Sequence, residues 1–318
     1  MKRSGAIFAA FIVAVAAYAG TACCAPERFA NTAQGSAARM GADRVVIDGT
    51  GRRIAIPAAI DRVVSLAPNL TETVYALGLG DKLVGDTNEC DKPLAAKQKP
   101  HVGEPVDPNL EAIVALRPDL VLATAINRME TVDALTRLGI PVYTTDPQTV
   151  LQMLQSVLGL ADAMGVHEQG AKLVAQLRAR LDSIHARLAD RPLQHVLFVI
   201  WDDPLITIGQ NTFIEDALRW AGAESVVLSR QKWPQLSMEE VLRLQPEYIL
   251  YAAHEEQSPL TLEDLRGRPV WRDLDAVEMG HVVNVSEEAL RPSPGLVDVI
   301  ENLARELHPN AFGSQIGN

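Results

Sequence analysis

The residue types that perform chemistry occur in this sequence, but their spacing does not suit catalysis. No serine stands in a Gly-x-Ser-x-Gly elbow, and Cys90 is the only cysteine in the body of the chain, with no base suggested beside it. The seven histidines are scattered singly, without the pairs that hold zinc, and we interpret them as surface residues. Gly78 and Gly80 lack the third glycine of a dinucleotide fingerprint. We therefore predict no catalytic residue, no metal site and no resident cofactor.

Three side chains suited to binding fall in loops that follow predicted strands. Trp201 follows the buried strand 196–200, Trp233 lies in a later loop, and Arg291 lies within residues 287–293. Open α/β sheets bind ligands at the carboxyl ends of their strands, where tryptophan offers a broad apolar surface and arginine a fixed cation. The alternatives are core packing for each tryptophan and a structural ion pair for Arg291.

Loops from the first half of the chain complete the candidate site. The corresponding strand-end segments there are residues 67–69, 88–91, 103–105 and 124–127. Cys90, inside one of them, is interpreted as a buried small apolar residue.

The elements that position these loops form two blocks of alternating strand and helix signals. Residues 44–147 and 191–310 each have this alternation, which predicts parallel sheets with right-handed crossovers. Residues 148–190 form a helical linker between the blocks. The sequence thus predicts an α/β protein of two lobes, with a ligand cleft where the strand-end loops of the two lobes face each other.

One long helix, residues 168–188, is predicted inside the linker. Its apolar residues recur at steps of three and four, and neither proline nor glycine interrupts it after Gly170. At 1.5 Å per residue the helix would extend about 30 Å. We expect it to act as a rigid spacer that limits closure of the cleft.

An internal repeat indicates that the two lobes are related. Residues 110–119 match residues 238–247, as helix, proline, acidic residue and buried strand in the same order. Proline before a strand is common in such units, but the glutamates Glu111 and Glu239 also match, which favours a true repeat.

The amino-terminal residues are predicted to direct export. Lys2 and Arg3 precede an apolar run at residues 6–19 and a small-residue segment, which is the pattern of a signal peptide over residues 1–24. The expected location is therefore the periplasm or the cell surface.

Two kinds of signal peptide fit this segment. One is simply cleaved; the other is a lipoprotein signal in which Cys23 carries the lipid anchor, although Gly20 or Thr21 stands where leucine is usual. Residues 25–43 would then be a flexible tether, and the membrane would be reached only through the lipid.

The formal net charge of −11 restricts the partners of this protein. Binding to nucleic acid needs a basic face, so nucleic acid is excluded as a partner. Neutral, cationic or locally basic partners remain.

Four motifs carry a resemblance to a known family. They are SLAPNLTETVYALGLGDKLVG, NLEAIVALRPDLVLA, WPQLSMEEVLRLQPEYIL and LRPSPGLVDVIENLARELHP. In order and spacing, from residue 45 to residue 307, the chain resembles the substrate-binding proteins of cobalamin and iron-siderophore ABC importers, with the cobalamin-binding branch nearest. The resemblance implies two Rossmann-like lobes joined by one long helix, a metal chelate such as cobalamin bound between them, and a monomer that delivers it to a permease with its ATPase.

The resemblance and the strand-end loops together give the candidate ligand contacts. These are Pro68, Asn69, Glu89, Glu104, Pro105, Thr124, Trp201, Trp233 and Arg291. Compared with the cobalamin pattern, three pocket aromatics are replaced by Glu89, Pro105 and Thr124. Glu89 and Glu104 would face a cationic or hydroxyl-rich ligand, or else be surface carboxylates without a role.

The resemblance also assigns permease docking to Glu111 and Glu239. Both follow a helix cap, Asn109 or Ser237, so the helix dipole by itself would also favour a carboxylate there.

We therefore expect a substrate-binding protein for a cobalamin-like corrinoid, or for a ferric siderophore or haem. An exported enzyme or an adhesion module with this fold is the rival from another class.

Overall fold

The computed structural model of the protein describes residues 43–252 and 260–313. The predicted signal peptide, Cys23 and the tether up to residue 42 lie outside these ranges. Within them, no helix combines the length and the apolar character needed to cross a membrane.

A hairpin and a parallel four-stranded sheet make up the first part of the described chain. Its elements are β1 (Arg44–Ile47), β2 (Arg53–Ile56), β3 (Val63–Ser65), α1 (Pro68–Ala76), β4 (Leu83–Gly85), α2 (Leu110–Ala115), β5 (Leu120–Thr124), α3 (Met129–Arg137) and β6 (Val142–Thr145). Strands β1 and β2 pair antiparallel, whereas the sheet has the order β4, β3, β5, β6 with all neighbours parallel.

Two helices then lead to a second sheet. The elements are α4 (Val150–Ala163), α5 (His167–Leu188), β7 (Gln194–Asp202), β8 (Leu205–Thr207), α6 (Phe213–Trp220), β9 (Ala223–Ser225), α7 (Met238–Leu244), β10 (Tyr248–Ala252), α8 (Leu262–Gly267), α9 (Asp275–Met279), β11 (Val282–Val285), α10 (Leu296–Leu307) and α11 (Pro309–Phe312).

The two sheets share one topology. In the second sheet the parallel neighbours run β9, β7, β10, β11, which reproduces the order β4, β3, β5, β6 of the first. Strand β8 is an addition that pairs antiparallel with the end of β7. We call the parts built on β3–β6 and β7–β11 the first and second lobes. The α/β class and the two lobes are confirmed, while the domain boundaries stay predictions.

The internal repeat folds alike in both lobes. Arg117 and Gln245 each end their helix in the left-handed region, with φ of 45° and 40°. Just after the proline that follows, a carboxylate of Asp119 accepts the backbone N–H of Arg62, and that of Glu247 accepts the N–H of His195. Each acidic side chain thus ties the start of one strand to the start of its neighbour, which explains why both lobes have an acidic residue after the proline.

Helix α5 covers His167–Leu188, close to its predicted range. Its stripe of Leu177, Leu181 and Ile184 is buried, and Gly170 lets it approach α4 closely, since a Cβ there would lie 2.3 Å from the Cβ of Ala161. One hydrophobic cluster runs from the first sheet through α4 and α5 to β7, α6 and α10. The helix therefore packs into a core shared by both lobes; its role as a rigid spacer stays a prediction.

Candidate ligand-binding site

A cavity of about 560 Å³ lies where the carboxyl ends of strands from both lobes meet. The first lobe contributes the segments after β3, β5 and β6, and the second contributes Ile200 of β7, the start of α6 and the segment after β11. Its volume falls within the range of small-molecule sites.

Most of the candidate contacts line this cavity. Those that do so are Pro68, Asn69, Glu89, Pro105, Thr124, Trp233 and Arg291. Trp233 is half exposed and therefore presents its ring to the cavity rather than to the core. Ligand binding by these residues stays a prediction.

Trp201 was expected beside the cleft, but it is not among the lining residues. Strand β7 does not end at Ile200; it continues to Asp202 and turns into β8. Ile200 lines the cavity, whereas Trp201 pairs with Ile206 of β8, next to a register shift between the two strands. The indole Nε1 of Trp201 instead donates to the carbonyl oxygen of Asp203, at 2.8 Å.

Glu104 also lies outside the lining, although it stands next to it. Its Oε1 accepts a hydrogen bond from the side-chain amide of Asn88, at 2.6 Å. Burial raises the pKa of the lining carboxyl Glu89, and the nearby carboxylates of Glu104 and Glu287 raise it further. A role of Glu104 in ligand binding stays a prediction.

Arg291 combines both of the roles considered for it. It lines the cavity, yet it is only 8% exposed, and its guanidinium bonds Glu72 at 3.0 Å, Asp91 at 2.6 Å and Glu287 at 2.9 Å. Burial by itself lowers the pKa of Arg291, but the hydrogen bonds of Asp91 and Glu72 outweigh it and raise the pKa. The cation is thus fixed, but three carboxylates offset its charge.

Two of these three ion pairs, those of Arg291 with Glu72 and Asp91, cross between the lobes at one side of the cavity. Glu72 and Asp91 belong to the first lobe, whereas Arg291 and Glu287 belong to the second. We call these four residues the Arg291 cluster. Beside it, Lys92 and Glu288 form a further ion pair from one lobe to the other.

A second contact between the two halves of the chain lies at another part of the cavity wall. The ammonium group of Lys232 donates to the side-chain oxygen of Gln148, at 2.8 Å, and both residues line the cavity. Nearby, Asp216 accepts the backbone N–H of Val150, at 2.7 Å. The cavity is therefore bordered by polar contacts that link its two sides.

The apolar wall of the cavity includes one residue outside the segments predicted from sequence. Ile126 and Leu290 lie in the predicted segments 124–127 and 287–293, although neither was named as a contact, whereas Phe213 lies outside all of them. Phe213 opens α6, whose cap Thr212 accepts the backbone N–H of Glu215 through its hydroxyl. A threonine followed three residues later by glutamate signals a helix start, so this pattern could have placed Phe213 at the cavity edge.

Cys90 is buried in the protein interior. It is 1% exposed, and its sulfur accepts a hydrogen bond from the hydroxyl of Thr71, at 3.1 Å. Burial raises the pKa of this thiol, which disfavours the reactive thiolate. Within the described ranges, no group of three or more His, Cys, Asp and Glu side chains is arranged to hold a metal ion.

The two predicted docking glutamates occupy equivalent places. Glu111 lies in the first turn of α2, where Asn109 accepts the N–H of Ala112, and Glu239 lies in the first turn of α7, which has a complete capping box. Both side chains are exposed. Their role in docking stays a prediction.

Two related α/β lobes with a cavity at the carboxyl ends of their strands define a bilobal substrate-binding protein. The sequence agrees: the family model for periplasmic binding proteins matches residues 63–289, and the chain belongs to that family.

Two of the relatives found by sequence illustrate the similarity. The chain is 34% identical over 207 residues to the vitamin B12-binding protein of Yersinia pestis, covering 64% of this chain and 74% of the relative. It is 28% identical over 322 residues to an uncharacterised ABC transporter substrate-binding lipoprotein of Bacillus subtilis, covering 98% of this chain and 99% of the relative.

Solved structures show the same fold. The periplasmic vitamin B12 binding protein of Vibrio cholerae superposes with a TM-score of 0.69 at 27% identity, covering 80% of this chain and 99% of that chain. A periplasmic haem-binding protein from Pseudomonas aeruginosa gives a TM-score of 0.71 at 26% identity, covering 79% and 93%. The protein is thus a substrate-binding protein of the type that serves ABC importers, and its relatives are binding proteins rather than enzymes.

Proposed function

We propose that this protein captures a cobalamin-like corrinoid and delivers it to the permease of an ABC importer. The observation that carries the proposal is the cavity between the lobes, with Trp233 on one wall and apolar residues such as Ile126 and Phe213 around it. A flat macrocycle needs broad apolar contact, and these side chains offer it. The vitamin B12-binding relative supports the same ligand class.

The charges around the cavity favour a corrinoid over haem or an anionic ferric siderophore. The lining carries the carboxylates of Glu89, Asp146 and Glu287 against the cations Lys232 and Arg291, and the Arg291 cluster already offsets the guanidinium. Haem has two carboxylates, which the three lining carboxylates would repel. A corrinoid edge rich in amides can instead donate hydrogen bonds to Glu89.

Ferric siderophore and haem remain the second candidates, because a haem-binding protein shares the fold at similar sequence identity. An exported enzyme or adhesion module is not favoured, since the relatives are substrate-binding proteins.

Titration separates these ligands. Quenching of tryptophan fluorescence would be followed with cyanocobalamin, haemin and a ferric siderophore, using the wild type and Trp233→Ala. We expect cyanocobalamin to bind, and the loss of the indole to weaken it by about tenfold or more, from the apolar contact removed. Trp201→Ala is the matched control, since that ring lies outside the cavity lining, and it should bind as the wild type does.

Two results would contradict the proposal. Binding of haemin or siderophore without cyanocobalamin would move the ligand to the second candidates. Absence of binding by all three chelates would overturn the proposed function.

We also infer export to the periplasm or cell surface through residues 1–24, with Cys23 as a lipid anchor. A relative of nearly the same length is a lipoprotein, which supports this inference. Incorporation of a labelled fatty acid into the wild type but not into Cys23→Ala would establish the anchor; equal labelling of both would refute it.

A further inference from the structure

Asn127 is a buried side chain behind the cavity wall. It is 5% exposed and is not among the residues that line the cavity. Its Nδ2 donates hydrogen bonds to the carbonyl oxygens of Leu66, at 2.9 Å, and Pro105, at 2.7 Å, while its Oδ1 accepts the backbone N–H of Thr124, at 2.7 Å. One side chain therefore bonds the backbone at three separate places.

The three places belong to different strand-end segments of the first lobe. Leu66 directly follows β3, Pro105 lies in the long loop after β4, and Thr124 is the last residue of β5. From these segments the cavity lining takes residues 67–69, 105 and 124–126. Each of these parts of the wall thus contains, or directly follows, a residue that is bonded to Asn127.

The segment that carries Glu89 is joined to the same hydrogen bonds one step further on. The backbone N–H of Asn88 donates to the carbonyl oxygen of Gly103, at 3.0 Å, and its side-chain amide donates to Oε1 of Glu104, at 2.6 Å. Gly103 and Glu104 immediately precede Pro105. The four strand-end segments that follow β3, β4 and β5 are therefore linked to one another by hydrogen bonds.

Asparagine suits this position because its side chain supplies two donors and an acceptor. A carbonyl oxygen can only accept, so the contacts with Leu66 and Pro105 require the NH2 group and determine which way the amide faces. An ionised aspartate would have the same size but would place a negative oxygen against two carbonyl oxygens. Buried backbone groups left without a partner cost free energy, so a side chain without these groups favours displacement of the segments.

We propose that Asn127 is a positioning residue for ligand binding, which holds three strand-end segments together and so determines the shape of the first-lobe wall. The proposal rests on the proposed function, in which the cavity receives a flat metal chelate. A wall that is already ordered loses less conformational entropy when the ligand binds, and a flat ligand needs its contacts at fixed places.

The alternative is a side chain that only stabilises the fold, as buried polar groups with satisfied hydrogen bonds commonly do. Such a residue changes the fraction of the protein that is folded, but not the affinity of the folded molecules. Affinity measured on folded protein therefore separates the two roles.

Two variants remove the hydrogen bonds in different ways. Asn127→Leu keeps the approximate shape of the side chain and deletes the donors and the acceptor. Asn127→Asp keeps the shape and the acceptor but has no donor while it is ionised. Asn284→Asp is the matched control, because the side-chain amide of Asn284 in β11 also donates to a backbone carbonyl oxygen, that of Leu260 at 3.2 Å, and neither residue lines the cavity.

Each protein is titrated at pH 8 with cyanocobalamin, or with haemin if that is the chelate that the wild type binds. Binding is followed by tryptophan quenching, at a temperature where circular dichroism shows the protein to be folded. We expect both variants of Asn127 to raise the Kd by about tenfold or more, because the wall segments shift. Asn284→Asp should bind as the wild type does.

The dependence of the Kd on pH supplies a readout that a purely stabilising role would not change. A protonated aspartate has one O–H donor, and burial against carbonyl oxygens favours this form, so acidification returns one donor bond to Asn127→Asp. Between pH 8 and pH 5, its Kd divided by that of the wild type should fall by about threefold or more, whereas this ratio should stay constant for Asn127→Leu. Glu89, Glu104, Asp107 and Arg128, the charged side chains of these segments, are present in both proteins, so the division removes their own titration.

Several results would overturn the inference while the proposed function stands. One is a wild-type Kd in folded Asn127→Leu, which would leave the residue a stabilising role only. If that variant does not fold, Asn127→Asp decides: a wild-type Kd at pH 8, or a raised Kd that does not change with pH, contradicts positioning by these hydrogen bonds. Equal weakening in Asn284→Asp would contradict it as well. Failure of the wild type to bind any chelate would instead overturn the proposed function.

Discussion

At the scale of single residues, the buried carboxyl group of Asp86 has an unusual pKa. Asp86 is fully buried at the end of β4, and one carboxylate oxygen contacts His101 Nδ1 at 2.9 Å, while the other has no hydrogen-bond partner among the described residues. Burial raises the pKa of Asp86 to about 6, although His101 and Lys99 oppose the shift. The folded protein therefore binds a proton at Asp86 that the unfolded chain releases at lower pH.

This shift predicts how stability depends on pH. A carboxyl group whose pKa is raised by folding contributes most below its unfolded pKa, and the contribution is lost as pH rises through the folded value. Between pH 7 and pH 5, the wild type should gain about 1 kcal/mol of stability relative to Asp86→Asn, which cannot titrate. Urea unfolding at the two pH values measures this difference.

The control for this prediction is Asp190→Asn, an exposed aspartate after α5. It should follow the wild type at both pH values. Parallel pH dependence in the wild type and Asp86→Asn would show that Asp86 titrates normally.

Helices α4 and α5 pack together through a close backbone contact as well as through their apolar stripes. Helices α4 and α5 meet at Gly170, where a methyl group would lie far inside the contact distance of Ala161. The hydrophobic stripe could be predicted from sequence, because a period of three to four residues is local information. The contact with Ala161 could not, since it depends on how the two helices cross.

Gly170→Ala should therefore destabilise the protein, against the usual helix preference for alanine. We expect a loss of about 1 to 2 kcal/mol in the free energy of unfolding from overpacking between α4 and α5. Thermal or urea unfolding gives the value. Gly267→Ala, in α8 with open space around it, is the control and should be neutral or slightly stabilising. Stabilisation at both positions would mean that α4 and α5 can separate without cost.

The whole molecule is joined across the cavity by a common core and by ion pairs. The hydrophobic cluster continues from one sheet to the other, and the Arg291 cluster bonds Glu72 and Asp91 of one lobe to Arg291 of the other. These contacts would have to break for a wide opening, so we expect only small closure on ligand.

Arg291→Met tests the Arg291 cluster. It leaves Glu72, Asp91 and Glu287 near one another without their cation, and breaking a buried ion pair from one side costs about 3 to 5 kcal/mol. Urea unfolding should show a loss of this order. Arg272→Met removes an exposed arginine paired with Asp273 and should change stability by less than about 1 kcal/mol. Equal, small effects would show that the cluster does not hold the lobes.

The sequence by itself determined the features that depend on local spacing. The alternation of strands and helices, the stripe of α5, the caps Asn109 and Ser237 and the internal repeat are all short-range patterns, and the structure contains each of them. The strand-end loops also identified most of the cavity, because parallel strands bring their carboxyl ends to one edge.

Only the tertiary structure decided which side chains meet. It placed Trp201 on the part of β7 that continues past Ile200 and pairs with β8, outside the cavity lining, and it surrounded Arg291 with carboxylates from segments distant in the sequence. It also brought Phe213 and Ile126 to the cavity wall. These outcomes depend on strand length and on the approach of the two lobes, and neither of these is encoded in the spacing of neighbouring residues.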